Sequence, residues 1–345
     1  MTPENMYKKL NDKLAHVVPD TELRRKAAIA AEIMELKQQK NAVILAHNYM
    51  EPALYYSIPD IVGDSLDLSR KAAEVEEDII LFCGVTFMAE TAKLLSPEKK
   101  VLCPVELAGC SLAESITAED IRRLKQQYPG VPVVTYVNTY ADVKAETDIC
   151  CTSGNAQAVM NSLDSEQVIF LPDEHLAANI AKRCGKTIIY PTLDPEAALR
   201  NPDLDVQVIG WRGACEVHER FIPGDVENIR KQYPDAKIIS HPEAPQPVID
   251  RVDFAGGTMA MARYIEQSEA RQFAVLTECS MSENLSGMFP DREFIDFCRL
   301  RCPHMNLITL EATLEALQQE QYEVTVPEEI AQKARAAVQR MIEIG

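Results

Sequence analysis

The sequence predicts an α/β protein of three repeated domains with short parallel sheets, in a pseudo-threefold arrangement with strand ends converging on one central site. Three observations predict it. Apolar runs break off into polar side chains at Asn41–Met50 (NAVILAHNYM), Val131–Tyr140 (VPVVTYVNTY) and Asp235–Ala244 (DAKIISHPEA). That is the pattern of buried strands delivering chemistry at their carboxyl ends. A hydroxyl at a helix start follows each run, 18 residues on from His47 to Ser65 and 17 on from Tyr136 to Ser153 and from His241 to Thr258. A cysteine then stands near the end of each unit, at Cys110, Cys215 and Cys302. A strand–helix rhythm recurs in any α/β protein, but rhythm alone does not place the same chemistry at matching offsets.

Residues 1–40 read as helical: Leu23, Ala27, Ala30 and Met34 follow helical spacing, widened by Ile29, Ile33 and Leu36. This segment is expected to pack on a first domain, 41–112, completed by 303–345. In that domain the strand ending at His47 leads through a Pro52- and Pro59-containing loop to a helix over 66–75, with Asp64 or Ser65 near its N-cap. Strands over 78–82 and 100–102 flank a helix over 87–95. The second domain, 113–216, opens with a helix over 118–128. Its strands end at Tyr136, Cys151, Leu171 and Ile209 (the last over 206–209), with helices over 156–163 and 176–184. The third, 217–302, has helices over 223–233 and 259–267 and strands ending at His241, Ala255 and Leu276. A final strand is expected near 307–310 and a closing helix over 327–344.

A net charge of −18 argues against a nucleic-acid or anionic-membrane surface. It also means that an anionic substrate has to be held locally, by helix N-termini, histidines or a metal. No apolar run approaches the roughly 18 residues of a membrane span, and the polar N-terminus has no signal-peptide core, so a cytoplasmic location is expected. The ten cysteines include no CxxC; the closest approach is Cys298-x3-Cys302. A disulfide framework is not expected in such a chain. Cys83, Cys150, Cys151, Cys279 and Cys298 read as core or incidental residues.

Three cysteines from three domains make an incomplete cage, since four thiolates close a structural metal site and three leave a position open. A [4Fe-4S] cluster so held keeps one iron free to act as a Lewis acid, although spacing alone does not show one. Ser65, Ser153 and Thr258 are either N-caps or oxyanion sites at helix N-termini. His47 and His241 end apolar strands, as ligands or as buried neutral rings. Glu243, two residues on from His241, suits general acid/base work. Tyr49 and Tyr136 suit proton donation or holding a planar ring, and otherwise packing. His175 and His218 rank below these, and His16 and His304 lower still.

At this point ten motifs coincide, in order, with one family. AHNYM (46–50), GDSL (63–66), FMAETAKLLSPEKK (87–100), AGCSL (108–112) and YVN (136–138) resemble quinolinate synthase. TSGNA (152–156), PDEHLAANIAK (172–182), WRGACEVH (211–218), HPEAP (241–245) and CPHM (302–305) continue the resemblance. It implies three homologous three-layer αβα domains around a [4Fe-4S] cluster with one open iron, ligated by Cys110, Cys215 and Cys302. It implies condensation of iminoaspartate with dihydroxyacetone phosphate to quinolinate, with loss of phosphate and water, in de novo NAD biosynthesis. An aspartate-oxidising enzyme would be the functional partner supplying the imine. On this resemblance His47, Ser65, Ser153 and Thr258 hold carboxylates or phosphate, and Tyr136, Val137 and Asn138 contact the forming ring. His241, Pro242 and Glu243 lie in the site, with Glu243 transferring protons and Tyr49 acting as second acid/base and part of a lid. Three departures accompany it. Met50 stands where Gln is common, which removes a polar contact near the entrance. Gly256-Gly257-Thr258 replaces Gly-Ser-Thr, and where some members carry a C-terminal CxxCxxC this chain has only Cys298 and Cys302.

Other classes remain open on the residues alone. A cluster-dependent hydro-lyase on a small hydroxy acid needs the open iron but no phosphorylated second substrate. An iron–sulfur sensor or scaffold needs no acid/base groups at every strand end. A zinc-bound α/β protein is separated from all of these by metal analysis.

Overall fold

The computed structural model describes residues 1–191 and 207–344. Among them the strands form three wholly parallel sheets. The first holds β1 (Ala42–His47), β2 (Ile61–Gly63), β3 (Ile79–Cys83) and β4 (Lys100–Leu102). The second holds β5 (Val133–Tyr136), β6 (Ile149–Cys151), β7 (Val168–Leu171), β8 (Ile188–Ile189) and β9 (Val208–Ile209). The third holds β10 (Lys237–Ser240), β11 (Phe254–Ala255), β12 (Gln272–Leu276) and β13 (Glu293–Ile295). Their orders are β2-β1-β3-β4, β6-β5-β7-β9-β8 and β11-β10-β12-β13. The first strand of each unit lies between its second and third, and the second sheet adds β8 at one edge. Every residue of β1, β3, β5, β6 and β7 is buried, as parallel strands covered by helices on both faces must be.

The repeat extends to the helices. Those over Thr86–Leu95, Glu174–Arg183 and Cys279–Met288 follow the third strand of each unit and have 10 residues apiece. Each cysteine loop then passes through a 3₁₀ turn, Ala113–Ser115, His218–Arg220 or Met305–Leu307. Each turn leads into another 10-residue helix, Ala118–Gln127, Pro223–Gln232 or Leu310–Gln319. Thr117 and Thr309 cap the first and last of these through their hydroxyls. Helix 310–319 packs against the N-terminal helix Asp20–Gln39, which brings the chain's two ends together. Beyond it, the Val324 amide donates to the Val101 carbonyl at the edge of β4. The last helix, Glu328–Ile344, contacts both the first and second units: Asn155 Nδ2 donates to the Met341 carbonyl (3.0 Å) and Arg70 to that of Ile342 (3.1 Å).

Several local expectations are corrected. Residues 307–310 are no strand: the apolar Leu307-Ile308-Thr309-Leu310 finishes a 3₁₀ turn and starts a capped helix whose Leu310, Thr313, Ala316 and Leu317 are buried. The fourth strand of that unit is Glu293–Ile295. Helix 279–288 escapes notice because Ser, Asn and Gly are poor helix formers; packing of Met281 and Leu285 imposes it. Within it Gly287 lies where any Cβ would meet the Tyr56 hydroxyl at 2.8 Å. Residues 1–40 form two helices, Pro3–Leu14 and Asp20–Gln39, divided before Pro19. Cys279 and Cys298 are not incidental but joined in a disulfide. Met50 is fully buried rather than near an entrance, and Asn284 Nδ2 binds its carbonyl at 2.9 Å. Val206 lies outside the described residues. Among those residues no helix is long and apolar enough to cross a membrane.

Candidate active site

The carboxyl ends of the three sheets face one cavity, part of it open to solvent. On its wall lie His47 and Tyr49 from the end of β1, Tyr136 and Asn138 from β5, and His241 and Glu243 from β10. Ser65, Ser153 and Thr258 line it, and so do Cys110, Cys215 and Cys302. Residues spread over most of the chain are therefore brought together as the repeat requires. Two expected contacts are not on the wall. Val137 is buried beside it, its amide donating to the Cys151 carbonyl, and the Pro242 carbonyl accepts from Asn179 Nδ2 at 2.7 Å.

The hydroxyls are not N-caps. Asp64 caps helix Ser65–Ala72 by accepting from the Leu66 and Asp67 amides, both at 3.0 Å. Asn155 and Gly257 occupy the cap positions of the other two helices. Ser153 Oγ instead lies 3.3 Å from His241 Nε2, and Thr258 Oγ1 accepts from Asn48 Nδ2 at 2.7 Å. Gly257 has a steric reason: a Cβ there would sit 2.9 Å from Ser153 Oγ. Asn138 Oδ1 is buried with no partner among the described residues, an acceptor open to a ligand. Among the described residues no lysine or arginine lines the cavity. Anion recognition there falls to hydroxyls, imidazoles and main-chain N–H groups.

At the centre is a hydrogen-bonded cluster that local sequence patterns undervalued. His218 Nδ1 lies 2.6 Å from Glu243 Oε2 and 3.2 Å from Cys215 Sγ. Its Nε2 lies 2.8 Å from Thr277 Oγ1, which is 2.6 Å from Tyr49 Oη. Tyr136 Oη donates to the other carboxylate oxygen of Glu243. The His218 and His241 rings stack with centroids 4.6 Å apart. Glu278 also lines the cavity, its carboxylate accepting from the Ser280 amide at 2.6 Å and the Cys302 amide at 3.3 Å. Of the weaker histidines, His304 is on the wall, 3.2 Å from Glu216, whereas His16 and His175 are not among the lining residues.

Burial sets the protonation of these groups. It pushes His47 down to about 4 and His241 down to about 3, against the opposing pull of Glu243. Burial works to raise the Glu243 carboxyl, but the charges of His241 and His218 and hydrogen bonds from His218 and Tyr136 place it well below the ordinary value. As pH falls below about 6.5, unfolded chains protonate His47 and His241 while folded ones do not, so the two sites together cost stability. The expected slope is about 1.4 kcal/mol per pH unit for each ring, down to about pH 4. Thermal melting of cofactor-free protein between pH 6.5 and 4.5 measures it, with His47→Asn as the comparison in which half the slope disappears. Identical pH profiles for the two proteins would show that the His47 ring is hydrated in the folded state.

The donor set bears on the metal. Burial raises the Cys110 thiol to about 12, Cys302 to about 11 and Cys215 well above its ordinary value. Three half-buried thiols with raised pKa values become thiolates only with a cation to take their charge. Sulfurs around a single zinc sit roughly 3.8 Å apart, as Zn–S bonds of about 2.3 Å in a tetrahedron require. The three cysteines are not among the described ligand groups whose atoms all lie within 4.8 Å of one another. Thiols on one cavity wall at wider spacing suit a polynuclear cluster. The group that does lie within 4.8 Å is Cys215, His218 and Glu243. Its 2.6 Å nitrogen–oxygen contact is a hydrogen bond, closer than two ligands of one ion approach.

Comparison with known proteins follows the same lines. Residues 31–343 match the family model described as quinolinate synthetase A protein. The chain is 50% identical over 335 residues to quinolinate synthase 2 of Mesorhizobium japonicum, covering 97% of both chains. It is 50% identical to quinolinate synthase of Agrobacterium fabrum, covering 97% of this chain and 91% of the relative. Against the Caulobacter vibrioides quinolinate synthase it is 48% identical, over 96% of this chain and 86% of the relative.

Proposed function

The chain belongs to the quinolinate synthase family, and on that premise we propose that its cavity condenses iminoaspartate with dihydroxyacetone phosphate. The products are quinolinate, phosphate and two waters, which balances every atom. One observation carries the reading: a single cavity gathers three cysteines, an ionised carboxylate, neutral imidazoles and hydroxyls, with no lysine or arginine among the described residues of its wall. Cys110, Cys215 and Cys302 are proposed to hold a [4Fe-4S] cluster. When bound, it supplies an iron with an open position, a Lewis acid for a substrate oxygen.

The chain's own residues do the rest. His47, Ser65, Ser153 and Thr258 hold carboxylate and phosphate oxygens, the neutral rings donating through one nitrogen. Asn138 accepts from the nitrogen-bearing substrate through its unpartnered oxygen. Glu243 takes protons from the carbons that must enolise and returns one to a departing hydroxyl. His218 orients it through the 2.6 Å contact, and Tyr136 binds its other oxygen. Tyr49, linked through Thr277 to His218, is the second proton donor, and its ring meets that of His47 edge-on at 4.7 Å. Burial holds the Tyr49 and Tyr136 hydroxyls protonated, well above their ordinary values. The same reading carries a cytoplasmic setting and an aspartate-oxidising enzyme as the source of the imine.

The test is metal analysis of protein purified without oxygen, followed by a two-substrate assay. About four irons and four sulfides per chain are expected, with quinolinate formed only when both substrates are present. Zinc in place of iron would remove the cluster. Turnover of a lone hydroxy acid, without the phosphorylated substrate, would replace the condensation with a hydro-lyase reaction.

A further inference from the structure

The three cysteine loops are not held alike. In the first unit, the amide of Thr86, the first residue of its helix, donates to the carbonyl of Ala108 at 2.7 Å, two residues before Cys110. In the second, the amide of Glu174 donates to the carbonyl of Gly213 at 2.8 Å, two residues before Cys215. Both tethers are main chain to main chain, and the Thr86 hydroxyl adds a second bond to the Ala108 carbonyl at 2.9 Å. In the third unit the matching residues are Cys279 and Leu300, and no such bond joins them among the described residues. Side chains take its place. Glu278, the N-cap equivalent to Val85 and Asp173, accepts from the amide of Cys302 itself at 3.3 Å. Arg301 donates to Ser280 Oγ at 2.9 Å and pairs with Glu283. The Cys279–Cys298 disulfide crosslinks the same helix end to the same loop.

We propose that Glu278 is the positioning residue for Cys302, doing with its carboxylate what a main-chain bond does for the other two cysteines. Its second oxygen is fixed by the Ser280 amide at 2.6 Å, so the carboxylate has a set direction. Glu278 is itself buried, 2% exposed, where a hydrogen bond is electrostatically stronger than in water. The disulfide is a second tether that a reducing compartment opens, which leaves Glu278 and Arg301 to hold the loop. The inference deepens the cluster reading, on which it rests for the use Cys302 is put to.

The experiment is alkylation of each thiol in cofactor-free protein, reduced beforehand and resolved by peptide mass spectrometry. In Glu278→Ala, Cys302 is expected to react about fivefold faster, the factor that loss of one hydrogen bond gives a local opening. Cys110 and Cys215 keep their wild-type rates. Glu278→Gln retains one acceptor and gives an intermediate rate at Cys302, which keeps the test available if the alanine variant folds poorly. After reconstitution, Glu278→Ala releases iron faster than wild type. An unchanged Cys302 rate, or equal acceleration at all three cysteines, would overturn the proposal. Wild type that takes up no iron and sulfide would defeat the cluster reading alone, since the alkylation rates still judge Glu278.

Discussion

Glu243→Gln is expected to keep the iron content of wild type and lose turnover by about a thousandfold, the range general acid–base catalysis supplies. Its two oxygens are engaged on different sides, Oε1 by Tyr136 and Oε2 by His218. An amide in its place presents a donor to one of these donors, so one contact breaks or one partner rotates away. The amide also accepts no proton near neutral pH. None of the three cysteines is displaced by the change, because their loops are held by their own tethers. Iron and sulfide analysis beside kcat and KM separates the two effects. A proton-transfer role lowers kcat, whereas a role confined to holding substrate raises KM. Activity within a few-fold of wild type would remove Glu243 from the chemistry and pass the role to Tyr49 or His218.

How much of this was legible depends on the range over which each signal acts. A buried strand ending in polar residues is local, so His47, Tyr136, His241 and Glu243 were readable from runs of ten residues. The near-constant offset to Ser65, Ser153 and Thr258 came from the repeat, and the three sheets share the order second-first-third strand. His218 was undervalued because only Cys215, 3.2 Å from its Nδ1, is a local partner. It stands on a 3₁₀ turn, and its partners Glu243 and Thr277 are 25 and 59 residues away. Glu278 follows an apolar strand as His47 does, but a carboxylate beside a helix start reads first as a cap. It is both, through Ser280 and Cys302. Leu307–Leu310 misled because four apolar or β-branched residues look alike at the start of a helix and in a strand. Only the circular closure onto helix Asp20–Gln39 decides between them.

Cys110→Ala is expected to reduce iron from about four per chain to near none, with loss of the visible absorption. It decides more than the loss of Cys215 would. Cys215 belongs both to the three-cysteine cage and to the compact group it forms with His218 and Glu243. Removing it would abolish a cluster and a single-ion site alike. Cys110 lines the cavity but stands outside that group. A cluster with two remaining thiolates is expected to be lost or degraded, because each ligand also neutralises cluster charge in a buried site. A lone divalent ion on Cys215, His218 and Glu243 would survive the same substitution. Cys184→Ala serves as the control, since Cys184 is not among the cavity's lining residues and its thiol donates to Asn161 Oδ1 at 3.7 Å. It should retain full iron. A Cys110→Ala protein that still carries one firmly bound metal and full activity would move the Lewis acid from the three-domain cage to the single-ion group. Glu243 would then be a metal ligand and not a base.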